Sequence, residues 1–400
     1  MCTRTLAALL LAALALAGCQ PAAVPSAPPT LADLSALATS DAATAAALAT
    51  PTRTPLPPTW TPLPGPTETA TPTPPPTAPA GFRAQGTIYY IFEGKTVIEL
   101  APDGTFADLL PLPQAWDRVT DLGVSPDGAA LSFVAPGPGS ARELYVLDRR
   151  TLAYRQLSAL GYASLLRPAW RPGGGEIAFL AAQSPDMAPA IYSAALNEQG
   201  QRLLWAAQGA ALRDLAWSAD GALLFFSAGE IYALDVARGT VSPPLTAVSG
   251  FGPDYGLAHS PTDAALYYLK PFRDLQTGAA GGLPHRISTA DLSAAPVEQK
   301  VGDGFMERLV FSRDGAFLAL ASATDVWLRE LAFNTSVQVV SGAGQPPQPA
   351  LSPDGQRAAY IDLDAAGVPQ VFVVDRLGDA PRQLTAHMYG TVSDLVWAEG

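Results

Sequence analysis

Cysteine is nearly absent from this 400-residue chain, which contains only Cys2 and Cys19. Both lie near the N-terminus, so disulfides cannot cross-link the rest of the chain, and a folded part must be held together by a hydrophobic core. No group of His and Cys residues has the spacing of a zinc site. We therefore expect a folded part with no metal and no other cofactor.

Catalytic motifs are also missing. The chain has three histidines and no Gly-x-Ser-x-Gly sequence, the motif that presents a hydrolase serine on a strand-to-helix turn. Asp362 and Asp364, with Gly367, faintly resemble a calcium loop, but the third acidic position and the closing Glu are absent, which favours a polar loop. We therefore expect no catalytic residue and a protein that is not an enzyme.

Basic residues are scarce as well. The chain has 24 Lys and Arg against 36 Asp and Glu, which gives a net charge of −12. This balance argues against nucleic acid as a partner and against binding anionic lipid through a basic face. Much of the acid falls in predicted turns, where it could serve solubility or form an acidic binding face.

A unit of strand, turn, strand, loop and strand recurs along most of the chain. Its clearest copy has an apolar first strand at residues 215–217 and a turn at 218–221, where Asp can bond its own backbone and Gly supplies a positive φ. Residues 222–227 form a second strand that is apolar nearly throughout, and 230–235 form a third. A sheet that is apolar on both faces must stack against further copies of itself.

Five further turns repeat at intervals of 40–52 residues, the period of a four-stranded propeller blade. They start at Ser125, Arg171, Ser260, Ser312 and Ser352. Residues 395–400 supply a first strand and turn, whereas residues 86–100 supply a second and third strand that lack a first. Together these two ends make a seventh blade and leave no open sheet edge. We therefore predict an all-β, seven-bladed β-propeller over residues 85–400.

The repeated turns resemble the WD40-like β-propeller repeat of TolB, the tricorn protease and prolyl oligopeptidases. The matching positions are the Ser-Pro-Asp-Gly turns at Ser125 and Ser352, their degenerate forms at Ser218 and Ser312, and the strand-ending Asp148, Asp235 and Asp375. The resemblance implies the fold and little about function, because propellers host unrelated activities. TolB is similar in working as a partner-binding propeller, but the chain lacks its extra N-terminal domain, so no TolB partner or residue is carried over.

The N-terminus predicts a lipoprotein signal. Arg4 precedes an apolar stretch at residues 6–16 that is too short to span a membrane comfortably. The Leu-Ala-Gly-Cys sequence that ends at Cys19 resembles a bacterial lipobox. The resemblance implies that residues 1–18 are removed and that an acylated Cys19 anchors the protein in the membrane of the cell envelope, facing outside the cytoplasm. The alternative is a soluble secreted protein cut nearby.

Residues 19–84 are dense in Pro, Thr and Ala. This composition cannot bury a core and favours an extended, polyproline-like chain. We therefore predict a disordered tether between the lipid anchor and the propeller.

One connection, residues 270–286, is longer than its counterparts. It contains Phe272, Arg273, Asp274, His285 and Arg286. Aromatic and basic residues are enriched at binding hot spots, and long insertions in a repeat usually fall on one face, often the binding face. Residues 251–255, in the preceding connection, are expected to line the same region. The competing interpretation is a tolerated floppy insertion, since loop length costs little stability.

Four other residues occupy the end of a first strand and are expected to pack rather than to bind. Trp170, Trp217 and Trp397 take equivalent positions in three copies, and His259 takes the same position in a fourth. Equivalence across copies is what packing between blades requires.

These patterns favour a surface-anchored lipoprotein whose propeller binds a protein, peptide or cell-wall ligand without catalysis. Two alternatives stay open. An extracytoplasmic hydrolase or lyase would need convergent carboxylates or a metal at the mouth of the central channel. A structural or sensory subunit of an envelope complex would need an exposed apolar patch on the rim.

Overall fold

The seven-bladed propeller predicted from the repeats is present. The computed structural model describes residues 86–105, 107–113, 116–197, 200–206, 211–301 and 304–399. The predicted signal at 1–18, the lipidation site Cys19 and the tether at 19–84 lie outside these residues. The described chain forms seven four-stranded antiparallel sheets. Its one helical element is a 3₁₀ turn at Pro138–Ser140, so the described residues include no helix long and apolar enough to cross a membrane.

Strands are numbered in chain order. Blade 1 contains β1 Thr87–Phe92, β2 Thr96–Leu100 and β3 Ala107–Leu109. Blade 2 contains β4 Thr120–Val124, β5 Ala130–Pro136, β6 Arg142–Asp148 and β7 Tyr154–Gln156. Blade 3 contains β8 Ser164–Trp170, β9 Glu176–Ala182, β10 Ala190–Ala195 and β11 Gln201–Trp205. Blade 4 contains β12 Asp214–Trp217, β13 Leu223–Ala228, β14 Glu230–Asp235 and β15 Thr240–Val241.

The remaining strands complete the ring. Blade 5 contains β16 Tyr255–His259, β17 Ala265–Arg273, β18 Ala280–Ser288 and β19 Val297–Glu298. Blade 6 contains β20 Arg308–Phe311, β21 Phe317–Ala321, β22 Val326–Glu330 and β23 Thr335–Val340. Blade 7 contains β24 Ala350–Leu351, β25 Arg357–Leu363, β26 Pro369–Asp375 and β27 Arg382–Gln383, and β28 Val392–Ala398 returns to blade 1.

The C-terminal strand closes the ring as predicted. Strand β28 pairs antiparallel with β1, so that Ile88 lies opposite Trp397 and Tyr89 lies opposite Val396. The first strands of neighbouring blades contact one another in a complete circle, from β4 through β8, β12, β16, β20 and β24 to β28 and back. These seven strands therefore surround a central channel.

The hydrophobic core lies between blades rather than within them. Each of the seven buried clusters draws its side chains from two adjacent blades. Phe225 and Phe226 are neighbours on β13 and both are fully buried, yet Phe226 packs against blade 3 and Phe225 against blade 5. Successive side chains of a strand point to opposite faces, which explains why this strand is apolar throughout.

Four turns between first and second strands share one hydrogen-bond arrangement. After β4, the Ser125 hydroxyl donates to the Asp127 carboxylate at 2.5 Å, and the same carboxylate accepts the Ala129 N–H at 3.0 Å. These donors hold the pKa of Asp127 below its ordinary value. The equivalent pairs are Ser218 with Asp220, Ser312 with Asp314, and Ser352 with Asp354. The acidic residues of the repeat are therefore turn-forming groups.

The antiparallel order gives the propeller two distinct faces. We call the end that holds the first-to-second and third-to-fourth connections the turn face. The opposite end, which we call the hairpin face, holds the second-to-third connections and the connections that lead from one blade to the next. The end of blade 5 formed by residues 270–283, at the β17–β18 hairpin, lies on the hairpin face.

Truncation after Tyr389 removes β28 and is expected to abolish cooperative folding of the propeller. It exposes the β1 edge and strips the buried partners Leu395 and Trp397 from the seam between blades 7 and 1, where each large-to-small loss typically costs about 2–5 kcal/mol. Denaturant unfolding and gel filtration measure the effect. A synthetic peptide of residues 390–400 should restore the folded form, and a peptide with Leu395→Asp and Trp397→Asp should not. A truncated chain as stable as the full chain would refute ring closure by β28.

Candidate functional site

The long connection of blade 5 is an ordered hairpin rather than a loop. Strands β17 and β18 are nine residues each and stay paired to their ends, with Phe272 opposite Gly281 and Arg273 opposite Ala280. Residues 270–286 were predicted to be a connection longer than its counterparts, and most of them instead belong to the paired strands β17 and β18. The paired part extends the sheet on the hairpin face, and only the tip between Arg273 and Ala280 is a turn.

Two glycines allow this extension to lie close to the next connection. A side chain at Gly281 would clash with Cβ of Phe305, and one at Gly282 would meet the Tyr255 hydroxyl at 2.7 Å. Gly282 also exchanges two backbone hydrogen bonds with Met306, at 2.9 and 2.8 Å. The glycines that make this segment look like a loop are thus the residues that let the hairpin pack.

Three phenylalanines meet beside the hairpin: Phe272 on β17, Phe251 in the connection before β16 and Phe305 in the connection after β19. The ring centroid of Phe272 lies 5.8 Å from that of Phe251 and 5.6 Å from that of Phe305. Phe251 and Phe272 stay 49% and 39% exposed. Aromatic rings left this accessible in a cluster are typical of a surface that another molecule covers.

Phe251 and Phe272 line a cavity of about 540 Å³ that we call the hairpin pocket. Its other walls are Arg213, Gly250, Gly252, Pro253, Tyr255, Pro271, Arg273, Ala280 and Gly281. Residues 251–253 and 255 thus lie beside the long hairpin, as predicted from the sequence. Within the described residues, neither Arg213 nor Arg273 takes part in a salt bridge.

The five predicted binding residues separate into two groups. Phe272 and Arg273 line the hairpin pocket. The other three serve the blade itself: the Asp274 carboxylate accepts the N–H of Gln276 at the hairpin tip, His285 Nδ1 lies 2.9 Å from the Leu283 carbonyl, and Arg286 pairs with Asp263 at 3.7 Å toward the turn face. The hairpin therefore presents two of the five side chains to a ligand at this pocket.

A buried carboxyl group lies directly behind the pocket wall. Asp254 is fully buried, and its Oδ2 accepts a hydrogen bond from the Thr246 hydroxyl at 2.6 Å. Its Oδ1 and the hydroxyl of buried Tyr268 have no hydrogen-bond partner in the described structure. Burial raises the pKa of Asp254 above its ordinary value, and Lys270 and His285 oppose this shift. Protonation of Asp254 removes the cost of an ionised carboxylate in this apolar site.

Hydrogen bonds between first strands join the blades around the channel, and the repeat pattern gives no sign of them. The Asp121 carboxylate on β4 accepts the N–H of Arg167 on β8 at 3.1 Å. Asp214 on β12 likewise accepts the N–H groups of Gly256 and Leu257 on β16, at 2.8 and 3.2 Å. Bulges in β8 and β16 turn these N–H groups out of their own sheets. The feature of the sequence that could have indicated these bonds is an aspartate inside a short apolar strand.

Asp394 and Asp121 lie on the adjacent channel strands β28 and β4. Burial raises the pKa of Asp394, the Asp121 carboxylate raises it further, and Arg308 opposes both. Two carboxyl groups on neighbouring channel strands are an arrangement that acid–base catalysis can use. Among the residues that the structure describes, no three His, Cys, Asp or Glu side chains group closely enough to hold a metal ion.

Comparison with known proteins identifies structures with a similar fold. No protein-family model matches the sequence, and no curated protein matches it. TolB from Acinetobacter baumannii is 17% identical over 78% of this chain and 66% of the TolB chain, with a TM-score of 0.50. An oligogalacturonate lyase from Vibrio parahaemolyticus is 13% identical over 76% of this chain and 87% of its own, with a TM-score of 0.57.

A prolyl endopeptidase is also similar, at 16% identity over 78% of this chain and 50% of its own, with a TM-score of 0.54. The described part of the chain has a TolB-like β-propeller fold. The chain spans about two thirds of the TolB structure and half of the prolyl endopeptidase. At these identities the likeness concerns the fold and leaves the activity open.

Tryptophan indoles of the TolB-like propeller form hydrogen bonds between blades, consistent with the packing role that their equivalent positions predicted. The Trp170 indole N–H donates to the Ser132 hydroxyl at 2.9 Å, and that of Trp217 donates to the Ala169 carbonyl at 3.0 Å. Both acceptors belong to the preceding blade. His259 is likewise held inside its blade, with Nε2 at 3.1 Å from the Thr289 hydroxyl. These three side chains contribute to packing between and within blades.

Asp254→Asn is expected to be at least as stable as the wild-type propeller near pH 7. An amide keeps an acceptor for Thr246 and removes the cost of burying a charge. Because the native-state pKa is raised, the native state binds the proton more tightly than the unfolded chain. The wild type therefore loses stability relative to Asp254→Asn as pH rises from about 4 to 7.

Denaturant unfolding of both proteins across this pH range measures the difference. Asp254→Ala is the control: it leaves the buried Thr246 hydroxyl without its acceptor and should lose about 1–3 kcal/mol at every pH. An Asp254→Asn protein that is less stable than the wild type at neutral pH would show that the carboxylate is ionised and favourably paired.

Proposed function

We propose that this protein is a lipid-anchored lipoprotein of the bacterial cell envelope whose TolB-like propeller binds a protein or peptide partner, without catalysis, through the hairpin pocket. The observation that supports this most directly is the exposed cluster of Phe251 and Phe272 beside Arg213 and Arg273. Aromatic and arginine side chains dominate the energetics of protein interfaces.

The distribution of exposed apolar side chains favours the hairpin face as the binding face. Among the described residues, eight large apolar side chains are exposed there and three on the turn face. The hairpin-face residues are Leu160, Met187, Val248, Phe251, Phe272, Leu275, Met388 and Tyr389. Methionine and aromatic residues are the types enriched in the cores of interfaces.

The turn face has the opposite character. Its aspartates bond neighbouring hydroxyl and N–H groups, and these donors lower the pKa values of several of them. The shifts concern Asp103, Asp127, Asp148, Asp220, Asp235 and Asp291. Ionised carboxylates around this face favour hydration and repel anionic surfaces. A partner that buries apolar surface is therefore expected on the hairpin face.

The cellular location rests on the N-terminal sequence. A short apolar stretch followed by Leu-Ala-Gly-Cys19 favours export and acylation, and residues 19–84 would space the propeller from the membrane. The same tether suits a structural or sensory subunit of an envelope complex, which would use the same apolar face.

An extracytoplasmic hydrolase or lyase is the second candidate, and the pair of Asp394 with Asp121 favours it. Such an enzyme would act inside the channel, with the Asp394 carboxyl as the acid. The turn-over of a candidate substrate by the wild type and its loss in Asp394→Asn would support this alternative over simple binding.

Partner capture tests the binding site. Residues 85–400 used as bait on envelope extracts should retain a partner, and Phe272→Ala/Arg273→Ala should reduce capture roughly 30-fold, the effect of losing about 2 kcal/mol at a hot spot. Phe333→Ala is the matched control, because Phe333 is 72% exposed on the turn face. Equal capture by the double variant and the wild type would remove the hairpin pocket from consideration.

Metabolic labelling with a palmitate analogue tests the anchor. The wild-type protein should carry label and sediment with membranes, whereas Cys19→Ala should do neither, because its thiol is the expected acylation site. Cys2→Ala is the control and should label normally, since residues 1–18 are expected to be removed. Label that persists in Cys19→Ala would contradict the lipobox assignment.

A further inference from the structure

The lining of the hairpin pocket restricts what kind of partner it can hold, provided that the proposed binding function is correct. Its cavity of about 540 Å³ falls within the range of ligand pockets and is wide enough for one large side chain with part of its backbone. Phe251 and Phe272 supply apolar walls, and Pro253 and Pro271 add rigid apolar surface. This lining favours an aromatic or long aliphatic group.

Two cations border the same space from different blades. Arg213 precedes the first strand of blade 4, and Arg273 ends β17 in blade 5. Neither forms a salt bridge within the described residues, although the whole chain is acidic. Burial raises the pKa of Tyr255 most, nearby Glu307 raises it further, and Arg213 lowers it. Glu307 forms no salt bridge with either arginine within the described residues. The walls of the pocket therefore contain two positively charged side chains and no negatively charged one to balance them.

A partner that covers these guanidinium groups must supply acceptors for them. Covering an arginine without a carboxylate or similar acceptor leaves a desolvated charge, which is strongly unfavourable. Carboxylates meet guanidinium groups through paired, charge-assisted hydrogen bonds. A matching ligand therefore carries acidic groups next to the apolar group that packs against the phenylalanines.

The same lining argues for a peptide over an acidic polysaccharide. Sugar rings present many hydroxyl groups, and a site for them needs side-chain amides or carboxylates to pair with those hydroxyls. The hairpin pocket has no Asn, Gln, Asp or Glu in its lining. Its polar side chains are the two arginines and the Tyr255 hydroxyl, which already donates to the Met306 carbonyl at 3.2 Å.

We propose that the hairpin pocket recognises a peptide segment in which an acidic residue lies next to an aromatic or long aliphatic residue. The apolar side chain packs against Phe251 and Phe272, and the carboxylate pairs with Arg273 or Arg213. The hairpin face also carries eight of the exposed large apolar side chains, against three on the turn face, which favours binding there.

Selection from a random peptide library displayed on phage, with the full chain as the target, tests this specificity. The wild type should enrich sequences that place Asp or Glu beside Phe, Trp, Tyr, Leu or Met. A synthetic enriched peptide should bind at least about tenfold more weakly to Arg273→Gln than to the wild type. It should also weaken with added salt and lose affinity when its acidic residue is changed to the amide.

Arg150→Gln is the matched control, since Arg150 is exposed at the turn face, and this variant should bind like the wild type. Enriched peptides without acidic residues, no enrichment at all, or tighter binding to polygalacturonate than to any peptide would each overturn the proposal. If partner capture still depends on Phe272 and Arg273 in any of these cases, the binding site stands and only the peptide class is wrong. If capture does not depend on them, the site itself fails.

Discussion

Burial between neighbouring sheets is the constraint on which the rest of this structure depends. Every blade is apolar on both faces, and every buried cluster is shared by two blades. An isolated blade would expose both apolar faces to solvent, and a blade at the end of an open ring would expose one. The sheets are therefore stable only as a complete ring. The pairing of β28 with β1 gives blade 1 its innermost strand and leaves no open edge at the junction.

Ring closure also determines where variation is tolerated. Four of the first-to-second connections on the turn face are fixed by Ser–Asp hydrogen bonds and by glycines with positive φ, such as Gly128 and Gly221. The connections of the hairpin face carry no such repeated geometry, and their lengths differ from blade to blade. A rigid scaffold that holds variable connections at one end is a common arrangement for binding sites. The exposed phenylalanines of blade 5 occupy this end.

Local chemistry explains what could be predicted from the sequence. Turn residues at a fixed period and apolar strands between them specify the blades, their number and the closing strand, because these signals lie within a few residues of one another. The extended hairpin was missed because Gly281 and Gly282 read as a loop unless the approach of Phe305 and Met306 is known. The bond from Gly256 to Asp214 was missed because it joins residues that are 42 positions apart. Phe272 and Arg273 were identified by residue type, whereas Arg213 and Phe305 reach the site only through the packing of neighbouring blades.

The charges of the propeller differ in whether the fold already uses them. Asp121 and Asp214 on the channel strands accept N–H groups from the next blade, so their carboxylates help to join the ring. The turn-face aspartates are likewise bonded to their own turns. Arg213 and Arg273 lie beside exposed aromatic rings and form no salt bridge within the described residues. A charge that the fold does not neutralise, placed beside apolar surface that the fold does not cover, favours recognition of a partner over a structural role.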